Sequence, residues 1–314
     1  MHINKFLFFL LLLLFNCQDQ DTTFTPNEPI DNNNNNVVLE DLGRGLIYQT
    51  FNEKIIPIYY YIPSNVNSST PVVFNIHGGG RDGESTRNMM EGKADQYGFI
   101  IVAPEISNIN FPGGDGFNLG NVYVDGDNPT PESLNEVNEW AFSIIEPIFD
   151  IFLANTDTNV DRYHLFGHSA GAQFAHRFML FNSNARYDKI LTSAAGWFTV
   201  LDNTIQFPYG LNNSILTQEP PLSTNSYLID ILSKNHIIQV GNLDNDPDFP
   251  GLRHNEFADA QGLHRVDRAI HFYNQAQNFA QTNSLSFNWT LNIINGLSHN
   301  TGDSIEYGCD LIFN

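Results

Sequence analysis

Arg162-Tyr163-His164-Leu165-Phe166-Gly167-His168-Ser169-Ala170-Gly171-Ala172-Gln173-Phe174 is the stretch on which the fold turns. Residues 162 to 166 make a short apolar run of the kind buried on both faces of a sheet, and the residues beyond Gly171 support a helix to about Phe181. Between them lies Gly-x-Ser-x-Gly. Two glycines without Cβ allow a strained turn that lifts the Ser169 hydroxyl clear of the sheet. By itself the motif is weak; strand, sharp turn and helix in that order give it meaning. A helix N-terminus beside the serine also favours negative charge developing there.

Upstream, Gly45 to Thr50 and Ile55 to Ile62 are rich in β-branched and aromatic residues and read as two strands joined at Asn52-Glu53. Val72-Val73-Phe74-Asn75-Ile76 is another doubly buried strand and stops at His77-Gly78-Gly79-Gly80. A helix around Thr86 to Tyr97 and a strand from Phe99 to Ala103 follow, then a Gly- and Asn-rich loop from Phe111 to Asn128. Trp140, Ile144, Ile148 and Ile151 recur at spacings of three and four, which predicts a helix from near Pro131 with a kink at Pro147. Downstream, Ile190 to Ala195 and His236 to Val240 repeat the strand pattern around an irregular excursion from Trp197 to about Asn225. Gln261 to Gln281 reads as a helix and Phe287 to Ile294 as a last strand. Such alternation specifies an α/β fold, a mostly parallel central sheet with helices on both faces, and places chemistry at the strands' carboxyl ends.

A serine hydroxyl is a poor nucleophile until a histidine takes its proton, and that histidine needs a carboxylate to hold its tautomer. His168 adjoins Ser169 and should point away from it; His264 and His271 lie along a long helix and should face solvent or packing. His299 follows the last strand in Gly296-Leu297-Ser298-His299-Asn300, where a loop can carry it over the sheet edge, and is the expected base. The acid should follow an intervening strand. Val240-Gly241-Asn242-Leu243-Asp244-Asn245-Asp246 offers Asp244, with Asp246 as its rival and Asp202 as an outside candidate. Asp244, Asp246 and Asp248 could instead converge on calcium, but the full loop spacing with a closing Glu is missing. Charge developing on a carbonyl oxygen calls for preorganised N–H donors. The backbone of Gly79 or Gly80, together with that of Ala170, fits that need. Trp197, Phe198 and Tyr209 are candidate pocket walls, with Phe117 and Tyr123 in loops that could cover the site.

With nucleophile, acid and base in the order 169, 244 and 299, residues 45 to 314 resemble the α/β-hydrolase superfamily. Within it the chain is most similar to secreted esterases of the polyhydroxybutyrate depolymerase and feruloyl esterase type, in which a His-Gly loop precedes an Ala- or Gly-flanked nucleophile turn. His77 to Gly80 and Gly167 to Gly171 also resemble hormone-sensitive-lipase-like esterases, but Gly241-Asn242-Leu243-Asp244 departs from the Asp-Pro-Leu type motif of that group. The resemblance implies hydrolysis of a small-molecule or polymeric carboxylic ester through an acyl-enzyme, without cofactor or metal. The alternatives are a serine peptidase acting on short peptides and a non-catalytic binding lipoprotein.

The N-terminus gives the setting. Lys5 and the apolar run from Phe6 to Phe15 read as a signal peptide over residues 1–16, too short to span a bilayer. Leu14-Phe15-Asn16-Cys17 resembles a bacterial lipoprotein processing box, which implies a lipid on Cys17 and membrane anchoring without a spanning helix, with simple secretion as the alternative. Residues 17–37 are polar and Asn-rich and read as a tether, leaving 38–314 as one catalytic domain. If Cys17 is lipidated, Cys309 lacks an intramolecular partner and reads as a buried small hydrophobe. The net charge of -21 argues against a nucleic-acid partner, whose phosphates need clustered Lys and Arg.

Overall fold

Strands β1 (Gly43–Phe51) and β2 (Lys54–Ile62) pair as a hairpin, with Asn52 and Glu53 both at positive φ, as a two-residue turn between right-twisting strands requires. The remaining strands are β3 (Val72–Ile76), β4 (Ile100–Pro104), β5 (Tyr163–His168), β6 (Tyr187–Ser193), β7 (Asn235–Gly241) and β8 (Thr290–Ile294). They form one sheet in the order β1-β2-β4-β3-β5-β6-β7-β8. From β4 to β8 every neighbouring pair is parallel, and β2 joins β4 antiparallel. The computed structural model describes residues 37–39, 42–182, 184–217 and 226–314. Residues 1–16, read above as a signal peptide, Cys17 and nearly all of the stretch read as a tether therefore lie outside the described residues, as does the end of the excursion before Asn225.

The helices are α1 (Gly83–Tyr97), α2 (Gly113–Gly116), α3 (Ile145–Asn155), α4 (Ala170–Phe181), α5 (Ser226–Ser233), α6 (Glu256–Asp259), α7 (Arg265–Thr282) and α8 (Thr301–Phe313). Period-two alternation divides the core between them. Val73, Phe166, Leu191 and Ile237 face a layer built with Met90 of α1 and Ile305 of α8. Phe74, Leu165, Ile190 and Ile238 face the other layer, with Phe149 of α3, Phe178 of α4 and Phe272 of α7. Cys309 is buried in the first layer, where burial pushes its thiol up to about 12, as expected of a small hydrophobe. No helix among the described residues is long and apolar enough to cross a membrane.

The helix expected from near Pro131 is replaced by three short 3-10 turns, and α3 begins only at Ile145. Trp140 adopts extended backbone between two of these turns and donates its indole N–H to the Asn135 carbonyl at 3.0 Å. Its burial, and that of Ile144, Ile148 and Ile151, matches the periodic pattern even though Trp140 is not helical. Pro147 falls in the first turn of α3, where a missing N–H is readily tolerated. The long helix starts at Arg265 rather than Gln261, because the His264 side chain caps it by accepting the Asp267 N–H at 3.3 Å. Gln261 instead holds both backbone groups of Phe198, at 2.9 and 2.8 Å.

Candidate active site

Four strand ends converge: β3 leads into His77–Gly80, β5 into Ser169, β7 into Asp244 and β8 into His299. Ser169 sits between β5 and α4 at φ 56 and ψ −115, a conformation an L-residue holds only when its surroundings impose it. The constraint comes from the flanking glycines. A Cβ on Gly167 would lie 2.2 Å from the Gly171 carbonyl oxygen, and one on Gly171 would lie 2.3 Å from that of Ile76. The Ser169 N–H is tied to the Ser193 carbonyl at 2.9 Å, so the turn is also stitched to the end of β6.

The side chains then form one chain of contacts. The Ser169 hydroxyl lies 3.1 Å from His299 Nε2, and His299 Nδ1 lies 2.7 Å from Asp244 Oδ2. With Nδ1–H donating to the carboxylate, Nε2 is left to accept the Ser169 proton. Asp246 is occupied elsewhere, accepting the Asp248 N–H at 2.9 Å, and Asp202 accepts from Thr204. Of the three candidate acids only Asp244 reaches His299. Immediately after the histidine, Asn300 caps α8 by accepting the Asp303 N–H at 2.9 Å, which fixes the backbone from which His299 projects.

Asp244 has a second partner that the sequence analysis missed. Arg265 Nη1 donates to Asp244 Oδ1 at 3.0 Å, and both side chains are almost completely buried. A cation in the first turn of a helix runs against the helix dipole. The pairing with Asp244 explains why an arginine stands there. Burial pushes the Asp244 carboxyl up, but the His299 contact and the Arg265 guanidinium outweigh it, leaving a net shift below the usual carboxylate range. Phe249 roofs the assembly, its ring 4.4 Å from the Arg265 guanidinium and edge-on to His299 at 4.8 Å.

His168 is buried beside His299, with Nδ1 3.2 Å from the Thr301 hydroxyl, and burial followed by the neighbouring imidazole pushes it down to about 3. It stays neutral and structural, as its place in the turn suggested. His271 is half-buried on α7.

In the glycine loop, the Ile106 N–H donates to His77 Nε2 at 2.9 Å, which leaves Nδ1–H to donate to the Gly78 carbonyl at 3.1 Å. Burial holds this imidazole neutral, pushed down to about 4. Because a trans peptide directs its C=O and N–H oppositely, the His77 contact turns the Gly79 N–H away from the ring. Arg81 locks the loop from outside, donating to the carbonyls of Ile106 and Gly113 at 2.6 and 2.7 Å and lying 4.1 Å over the Phe117 ring. Phe117 and Tyr123 are both buried, and the Tyr123 hydroxyl accepts the Ile215 N–H at 2.7 Å.

Ser169, Ala170, Gly79, His299 and Trp197 border a cavity of about 450 Å³. Gly80 lines a smaller recess that shares Gly79, Ser169 and His299 with it. The other two aromatic candidates lie behind the cavity wall. Phe198 is buried and stacks on Phe272 at 4.3 Å, while Tyr209 backs Trp197 at 4.6 Å and accepts from Arg253 at 2.9 Å. The cavity also takes in Gln173, Phe249, Arg253 and Arg265, none of which was singled out from the sequence. Gln173 carried a legible signal, four residues after Ser169 in the first turn of the helix that follows it.

No family model and no curated protein matches the chain. Solved structures do. Poly(aspartic acid) hydrolase-1 from Sphingomonas sp. KT-1 is 30% identical, with a TM-score of 0.79 over 88% of this chain and 100% of that one. The chain belongs to the α/β-hydrolase superfamily. This hydrolase is also similar to a poly(3-hydroxybutyrate) depolymerase from Bordetella parapertussis, at 28% identity and a TM-score of 0.77 over 87% of this chain and 90% of that one. An S-formylglutathione hydrolase from Agrobacterium tumefaciens, 14% identical with a TM-score of 0.52 over 86% of this chain and 92% of that one, shares the fold of the hydrolase.

Proposed function

We propose that the protein is an exported serine hydrolase that cleaves carboxylic esters, polymeric ones included, through an acyl-enzyme. The observation that carries this is the unbroken contact chain from Asp244 through His299 to Ser169, ending at the rim of a cavity. His299 Nε2 takes the hydroxyl proton as Ser169 Oγ attacks the ester carbonyl carbon. The oxygen of that carbonyl becomes an oxyanion facing the N–H groups of Ala170 and of Gly79 or Gly80, and the orientation of the Gly78–Gly79 peptide favours Gly79. As the tetrahedral intermediate collapses, His299 returns the proton to the departing alkoxide. Water then enters with His299 again as base, and the carboxylic acid leaves. Throughout, Asp244 fixes the imidazole and balances its transient charge.

The poly(3-hydroxybutyrate) depolymerase supports a polymeric ester as substrate. The poly(aspartic acid) hydrolase favours a second reading, cleavage of an amide-linked polymer by the same residues. Residues 38–314 form the catalytic domain in this proposal. Residues 1–16 act as signal peptide and 17–37 as tether, with a lipid on Cys17. Hydrolysis of p-nitrophenyl esters of graded acyl length, beside a Ser169→Ala control, tests the chemistry. Turnover that disappears in the control supports it; turnover that persists, or a folded protein inert on every ester, overturns it. Detergent-phase partitioning that is lost in Cys17→Ser tests the anchor, and partitioning unchanged by that substitution refutes it.

A further inference from the structure

Gln173 lies in the first turn of α4, of which Ser169 is the N-cap; its backbone N–H donates to the Ser169 carbonyl at 3.1 Å, and both residues border the same cavity. The residue is only 7% exposed and lines the cavity beside the nucleophile. Its Oε1 is buried with no hydrogen-bond partner among the described residues. Buried carboxamides are normally satisfied, because leaving one unpaired costs the whole of its lost hydration. The surroundings make room for it: a Cβ on Gly196 would come within 2.9 Å of Gln173 Nε2.

The cations of the cavity do not supply an alternative means of recognition. Arg253 is held by Asp127 through contacts of 3.0 and 3.3 Å, and Arg265 by Asp244. Each cation is matched by a carboxylate, which disfavours selection of an anionic substrate by net charge. The unpaired amide is instead suited to a neutral polar group.

We infer that Gln173 is a specificity-determining residue whose side-chain carboxamide hydrogen-bonds a hydroxyl or amide group of the substrate, a few bonds from the scissile carbonyl. This rests on the serine-hydrolase function proposed above and adds to it a substrate class: esters of hydroxylated or amide-bearing units, in preference to plain alkyl esters. A site built around a polar partner discriminates strongly against the analogue that lacks it, since its own buried group is then stranded.

The test uses the full-length chain, Gln173→Met, and two matched ester pairs that place the donor on either side of the carbonyl. One pair is p-nitrophenyl 3-hydroxybutyrate and p-nitrophenyl butyrate; the other is 2-hydroxyethyl butyrate and propyl butyrate. In at least one pair the wild type should favour the hydroxylated member in kcat/KM by roughly 5- to 100-fold, the range expected of one buried hydrogen bond made or left unmade. In Gln173→Met that ratio should fall towards one. An unchanged ratio in the variant, or a wild type indifferent to both hydroxyls, overturns the inference while leaving the hydrolase intact. The second of these outcomes needs no variant, so it stands even if Gln173→Met does not fold. Absence of turnover on all four esters, or turnover that survives Ser169→Ala, overturns the underlying function and the inference with it.

Discussion

Arg265→Met removes one charge of a buried pair while keeping most of the side chain's length. In the wild type Asp244 and Arg265 lie 3.0 Å apart with side-chain exposures of 1% and 4%, so neither is compensated by water. Breaking such a pair from one side costs about 3–5 kcal/mol, because the remaining charge stays buried. For a domain of this size that corresponds to a fall in melting temperature of about 6–20 °C. The pH dependence should change as well. A carboxyl held below its ordinary value contributes stability above that value and loses it as the pH falls through the folded one. Two of the influences lowering Asp244 come from Arg265, so without them this contribution shrinks and acid unfolding should begin at a higher pH. Scanning calorimetry of Arg265→Met and of the double variant Asp244→Asn/Arg265→Met tests the reasoning. The double variant, with no charge left stranded, should melt above the single one. A single variant melting within 1–2 °C of wild type (about 0.5 kcal/mol), or a double variant no better than the single, would refute it.

Three further outcomes are expected. Burial pushes His77 and His164 down to about 4 and His168 and His236 to about 3, and holds His176 well below the ordinary imidazole range. Unfolded chains take up protons below about 6.5 while these folded sites do not. Their contribution is therefore complete above 6.5 and lost as the pH falls towards 4, by up to about 1.4 kcal/mol per histidine between pH 7.5 and 5.5. Urea unfolding at the two pH values should show a large drop in midpoint, and equal midpoints would contradict it. Gly171→Ala places a Cβ 2.3 Å from the Ile76 carbonyl oxygen, so β3 and the glycine loop must shift. A loss of about 1–3 kcal/mol is expected, together with a fall in turnover; a variant with wild-type melting and rate would show that the elbow tolerates a side chain. Asp244→Asn strands the buried Arg265 charge and should melt below wild type; in the folded variant kcat should fall by roughly 10³–10⁴-fold, and a loss below tenfold would remove Asp244 from the mechanism.

Much of the sheet was legible because its inner strands are short apolar runs that stop at glycines, and the ends of β3 and β5 carried the site with them. The relation of Asp244 to His299 was legible as loop order after strands rather than as geometry. Elsewhere periodicity misled. Trp140 and Ile144 are buried at helical spacing, but Trp140 reaches the core from extended backbone between 3-10 turns, so a pattern of burial was read as a pattern of conformation. The terminal helix α8 went unread, although Asn300 and Asp303 supply its cap and first-turn charge. Arg265 could not have been placed from the sequence, since only tertiary packing brings the start of α7 onto the carboxylate after β7. Gln173, by contrast, required only the helix already inferred, whose first turn starts at the Ser169 turn.

The central claim is that Ser169 is the nucleophile, and labelling by a fluorophosphonate tests it most directly. The reagent phosphonylates an activated serine with loss of fluoride, and peptide mass mapping locates the adduct. One equivalent on the peptide containing Ser169, absent in Ser169→Ala and strongly slowed in His299→Ala, is the predicted result. A folded protein that takes up no label, or carries it on another residue, would contradict the account.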